Sequence, residues 1–108
     1  MTGIINKYGD IKIKFNKIKP FINICKVTGK KELVNIEIEY EPHIFLIEIG
    51  SYRKYFEQKF NMHIEEICDT VFYHIDECVK PKYLSVTVSL EGNKKLTDWS
   101  VTKTSKKI

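Results

Sequence analysis

The stretch Cys25-Lys26-Val27-Thr28-Gly29-Lys30-Lys31-Glu32 places a thiol in a lysine-rich loop, with a carboxylate seven positions on. A thiolate is a soft nucleophile, and nearby positive charge lowers a thiol's pKa and enlarges the thiolate fraction at neutral pH. Lys26, Lys30 and Lys31 could supply that charge. Local composition by itself favours the plainer alternative, a small buried cysteine at a strand end.

Cys68 and Cys78 fall on the apolar face of a helical pattern, where inert core cysteines belong. Three cysteines make no paired framework, and no Cys-x-x-Cys or Cys/His cluster has zinc spacing. His43 opens a strand, while His63 and His74 sit in or beside one helix, so no two histidines share a third donor at metal-ligand spacing. No metal is expected, and His63, at the helix start, is the histidine placed to serve a site.

The elements that must hold these residues follow from hydrophobic period. Ile11, Ile13 and Phe15 alternate with Lys12 and Lys14 as a half-buried edge strand requires. Pro20 interrupts, and the segment from Phe21 through Lys31 reads as a loop. Leu33 to Tyr40 alternates again, Glu41-Pro42 turns the chain, and His43 to Ile49 reads as its hairpin partner. Gly50-Ser51 ends that strand, with Ser51 as the cap of a short helix over Tyr52 to Phe60.

Ile64, Ile67, Cys68, Val71, Phe72, Ile75, Cys78 and Val79 then recur at steps of three and four, which predicts a long amphipathic helix closed by Pro81. Tyr83 to Leu90 alternates, Glu91-Gly92-Asn93 is turn chemistry, and Leu96 to Thr104 returns with Trp99 and Val101 on one side. The basic tail from Ser105 is expected to fray. These elements predict an α+β fold: one antiparallel sheet in ββααββ order with both helices on one face. Its open edges favour self-association into a ring.

At 108 residues, 43% of them hydrophobic and 30% charged, the chain is expected to form a single globular domain over 1–108. No secretory pattern or bilayer-length apolar run is visible, so the expectation is a cytoplasmic protein without a membrane partner. The net charge of +4 is too small to argue for nucleic acid alone. Lysines nonetheless crowd both ends, at Lys12, Lys14, Lys17 and Lys19 and at Lys94, Lys95, Lys103, Lys106 and Lys107. A solvated surface accounts for them on charge evidence by itself.

The motif Cys25-x-x-Thr28-Gly29-x-x-Glu32, the strand end Glu39-Tyr40-Glu41-Pro42, and Ile47-Glu48 before a helix resemble the 7-cyano-7-deazaguanine reductase family in order and spacing. Glu65-Glu66 and Pro81-Lys82-Tyr83-Leu84-Ser85-Val86-Thr87-Val88 are also similar to it, so the likeness is strongest over 21–90. In length and in what is missing, the chain most resembles the QueF-like, archaeosine-forming amidinotransferase branch.

The resemblance implies a tunnelling fold (T-fold), with pentameric rings, alone or stacked as decamers, and active sites between subunits. It implies that a cysteine at the position of Cys25 adds to a nitrile carbon to form a thioimide. An acid at the position of Glu32 then moves the protons, while Glu48 reads the edge of a guanine-like base and Glu65 contacts the substrate. The family's histidine before the Glu65 position falls on Ile64, and His63 is the adjacent substitute, one residue away and thus rotated by about 100° if both were helical. Glu32 stands where the family usually has aspartate.

Where the reductases bind NADPH phosphates, this chain has Ile49-Gly50-Ser51-Tyr52-Arg53 and no Arg-Gly-Gly near the end. The resemblance therefore implies an amidinotransferase without cofactor, in which ammonia converts 7-cyano-7-deazaguanine in tRNA to a formamidine. NADPH-dependent nitrile reduction in queuosine biosynthesis is the alternative, and a non-catalytic deazapurine- or RNA-binding module is the third.

Overall fold

The computed structural model describes residues 1–16, 20–91 and 97–105. The element order is β1 (Gly3–Ile5), β2 (Ile13–Asn16), β3 (Phe21–Ile24), β4 (Lys31–Glu41), β5 (Phe45–Ile47), α1 (Ile49–Tyr55), α2 (Ile64–Val79), β6 (Tyr83–Glu91) and β7 (Thr97–Thr104). Lys17, Lys19, Gly92, Asn93, Lys94, Lys95, Leu96, Lys106 and Lys107 lie outside the described residues.

Strand β4 is the axis of a five-stranded antiparallel sheet. Val34, Ile36, Ile38 and Tyr40 all point to the buried face, as strict alternation demands. On one flank β4 pairs with β6, with Ile36 opposite Val88 and Ile38 opposite Val86, and β6 pairs in turn with β7. On the other flank two short strands lie in tandem. Strand β2 covers the far half, with Ile13 opposite Tyr40, and β3 covers the near half, with Phe21 opposite Val34. Strand β2 is thus at the sheet edge, as its lysine-bearing pattern predicts.

Helix α2 buries Ile64, Ile67, Cys68, Val71, Ile75 and Val79, the stripe its period predicts, and packs them against β6. Burying a Val or Ile side chain stabilises by about 1.5–3 kcal/mol, so this stripe and the inner face of β4 and β6 dominate the fold's stability. Cys68 is part of that interior, with its Sγ 3.4 Å from the Val86 carbonyl oxygen, and burial pushes the thiols of both Cys68 and Cys78 up. Neither is an activated nucleophile.

Four expectations are corrected. Residues 21–24 form strand β3 rather than loop, which shortens the loop to the hairpin turn between Ile24 and Lys31. Strand β5 does not form a hairpin with β4; it pairs with β1 in a separate two-stranded sheet, Ile4 opposite Leu46. The Ile47 amide instead donates to the Tyr40 hydroxyl at 3.0 Å, so a side chain rather than a ladder joins β5 to β4. Helix α1 begins at Ile49, capped by Glu48 and not Ser51, and ends at Tyr55. Ser105 remains tied to the sheet, since its amide donates to the Leu84 carbonyl at 2.8 Å and its Oγ accepts from the Leu84 amide at 2.9 Å.

Candidate active site

The β3–β4 hairpin builds the nucleophile's setting. Cys25 follows the last residue of β3, and its amide donates to the Lys30 carbonyl at 2.9 Å, closing the loop. The Gly29 amide returns to the Cys25 carbonyl at 2.9 Å with Gly29 at φ +70°, a conformation that favours glycine. This fold-back carries Thr28 over Cys25. The Thr28 hydroxyl, then the Thr28 and Val27 amides, hold the Cys25 thiol below its ordinary pKa, against smaller opposing effects from burial and from the Glu32 charge.

That cause differs from the one expected. No lysine contributes to the shift: a hydrogen-bonding turn, rather than a field of cations, favours the thiolate. Lys26 points instead to Glu66, 3.5 Å away at the start of α2. Cys25 itself is half-buried and therefore reachable, unlike Cys68.

Cys25, Glu32, His63 and Glu65 line one shallow cavity of about 150 Å³, together with Met62, Ile64, Leu90 and Trp99. Two elements converge here: the β3–β4 hairpin brings the thiol and Glu32, and the N-terminus of α2 brings His63 and Glu65. His63 is the N-cap of α2, with extended backbone at φ −68° and ψ 153°. Its side chain therefore does not follow the helical rotation expected between neighbouring positions, and it reaches the cavity beside Glu65. Ile64, on the helix proper, is buried and lines the same cavity.

Glu48 does not line this cavity. Its carboxylate accepts from the Gly50 amide at 2.8 Å and the Ser51 amide at 2.6 Å, and those two bonds, Ser51's first, hold it below the usual carboxylate range. Each oxygen keeps a further lone pair for another donor.

Sequence reasoning missed three participants. Trp99 pairs across the sheet with Leu90 and extends past the core, 54% exposed, to form a wall of the cavity. Thr28 enters the sequence reading only as a motif position. Asn23, fully buried, donates from Nδ2 to Glu32 Oε1 at 3.0 Å. An isolated asparagine between two isoleucines was its only signal. Among the described residues, no group of three His, Cys, Asp or Glu side chains could hold a metal ion, and no helix is long and apolar enough to cross a membrane.

No family model matches the chain. In sequence it is 26% identical over 96 residues to an NADPH-dependent 7-cyano-7-deazaguanine reductase from Chlorobium phaeobacteroides (strain BS1), covering 86% of this chain and 81% of the relative. In structure it matches the crystal structure of the archaeosine synthase QueF-Like in its apo form, with TM-score 0.73 and 17% identity over 93% of this chain and 96% of that one. The fold is therefore the α+β tunnelling fold, and both comparisons match the 7-cyano-7-deazaguanine reductase family, with its QueF-like branch, that the Cys25–Glu32 and Pro81–Val88 stretches resemble.

Proposed function

We propose that this protein is an amidinotransferase acting on the nitrile of 7-cyano-7-deazaguanine carried in tRNA. What supports it is one cavity that gathers a thiol of lowered pKa, a carboxylate, a second carboxylate and an aromatic wall. The Cys25 thiolate adds to the nitrile carbon, and Glu32 delivers a proton to the nitrogen as the C≡N bond becomes C=N, leaving a thioimide. Ammonia then adds to the same carbon. The thiolate leaves as the C–S bond breaks, and the products are a formamidine and the free thiol.

Glu65 and His63 hold polar groups of the base, and Trp99 offers a face on which it stacks. A cavity of about 150 Å³ is small against the roughly 300–1,000 Å³ usual for ligand sites, so one chain supplies part of the site. A pentameric or decameric ring would complete it, with Glu48 of the adjoining subunit accepting from the guanine-like edge. Lys30 and Lys31 are exposed on the Cys25 hairpin, in no ion pair among the described residues, and are placed for tRNA phosphates.

The sequence relative is a reductase, which makes NADPH-dependent nitrile reduction the second reading. The residues after Glu48 fit a dinucleotide phosphate poorly. The amides of Gly50 and Ser51 are committed to Glu48, and Tyr52 is buried in the core, which leaves Arg53 and Lys54 as the exposed cations of α1.

Intact mass spectrometry with 7-cyano-7-deazaguanine tests the proposal. Wild type is expected to gain one base mass, Cys25→Ala none, and nitrile-bearing tRNA to yield a formamidine only when ammonia is present. Oxidation of NADPH with the free base would move the assignment to a reductase, and no adduct from either substrate would leave a binding module.

A further inference from the structure

We infer that Asn23 is a positioning residue whose buried carboxamide fixes which oxygen of Glu32 carries the transferred proton and ties that acid to the segment opening α2. The proton transfer by Glu32 rests on the function proposed above, while the contacts of Asn23 stand by themselves. Asn23 is the one polar residue in the buried interior among the described residues, at 0% exposure. A buried amide is costly unless its donors and acceptor are satisfied, and here all are engaged. Nδ2 donates to Glu32 Oε1 at 3.0 Å and to the Met62 carbonyl at 2.8 Å, and Oδ1 accepts from the Met62 amide at 3.1 Å.

These partners allow one orientation. Turning the amide over would set its carbonyl oxygen against two acceptors and its NH₂ against a donor. Glu32 Oε1 is therefore held as an acceptor, and a proton on this carboxyl resides on Oε2. The pair of hydrogen bonds to Met62 also extends a backbone link: the Ile24 amide donates to the Phe60 carbonyl at 2.8 Å, and the Phe60 amide to the Ile22 carbonyl at 3.3 Å. Strand β3, which leads into Cys25, is thus joined to residues 60–62, which lead into His63 and Glu65. Asn23 is the side chain common to both walls of the cavity.

The test compares Asn23→Ser, Asn23→Asp, Glu32→Gln and the double variant Asn23→Ser/Glu32→Gln. Alkylation of Cys25 by iodoacetamide against pH, read by peptide mapping, needs no substrate, and the rate of adduct formation with 7-cyano-7-deazaguanine reads the chemistry. Asn23→Ser is expected to shift the Cys25 alkylation profile and slow the adduct about tenfold when Glu32 is present, yet to change both little in the Glu32→Gln background. Asn23→Asp is neutral in acid and can still donate to Glu32, so its adduct rate stays near wild type there and falls as pH rises. Equal effects of Asn23→Ser in both backgrounds, or an Asn23→Asp profile parallel to wild type, would overturn the inference. Should Asn23→Ser not fold, as read by circular dichroism, the Asn23→Asp profile decides. If wild type forms no adduct the functional proposal fails, and the alkylation comparison still decides the role of Asn23.

Discussion

Thr28 lies three residues beyond Cys25, and the turn through Gly29 folds it back so that its hydroxyl and amide face the Cys25 sulfur. A hydrogen bond to a thiolate stabilises the charged form and not the neutral one. Thr28→Ala should therefore move Cys25 alkylation by iodoacetamide to higher pH and slow it several-fold at neutral pH, while Thr28→Ser retains most of the effect. Lys26→Ala should leave the profile near wild type, because its ammonium is directed to Glu66. A large shift from the lysine variant and none from Thr28→Ala would restore the cation explanation.

Trp99 stands over the cavity edge with half of its surface free. Base–aromatic stacking is worth about 1–3 kcal/mol, so Trp99→Ala should raise KM for the deazaguanine substrate on the order of tenfold or more, and Trp99→Phe should recover most of it. Steady-state kinetics separate this from chemistry, since kcat should change far less than KM.

Acid should destabilise the fold through two helix-capping carboxylates. Glu48 is held below its ordinary range by the Ser51 and Gly50 amides, and Glu66 by the His63 amide and then by Lys26. A carboxyl depressed in the folded state contributes stability above its unfolded pKa and loses it as pH falls through the folded value. Urea midpoints should fall below the ordinary carboxylate range, and Glu48→Gln with Glu66→Gln should flatten that acid limb. An unchanged slope in the double variant would remove these caps from the account.

Tyr52 is stacked on Phe15 with ring centroids 4.7 Å apart, and its buried hydroxyl has no hydrogen-bond partner among the described residues. Burial alone pushes its pKa up to about 12. Tyr52→Phe keeps the stack and removes the unsatisfied group, so unfolding free energy should rise by ~1 kcal/mol. By contrast Ile38→Ala, at a fully buried position on β4, should cost about 3–4 kcal/mol, a large part of a small domain's stability. Chemical denaturation measures both.

Periodic elements were legible in the residues themselves. Strand β4 alternates from Val34 to Glu41 and α2 repeats at helical steps, so side-chain direction follows from backbone geometry before any partner is known. The Cys25-x-x-Thr28-Gly29-x-x-Glu32 spacing singles out a thiol and a carboxylate only through its resemblance to a known family, since local composition by itself favours a buried cysteine and a loop.

Tertiary structure decided what local pattern leaves open. Phe21–Ile24 does not alternate apolar with polar residues in sequence and becomes a strand because β4 offers a free flank. Strand β5 leaves β4 for β1, a partner 40 to 44 residues away, since pairing energy depends on which edges meet rather than on chain order. The thiol's environment, the single orientation of Asn23 and the meeting of Glu32 with Glu65 are likewise products of packing. Each depends on distances between atoms remote in sequence, and such distances exist only once the chain has closed on itself.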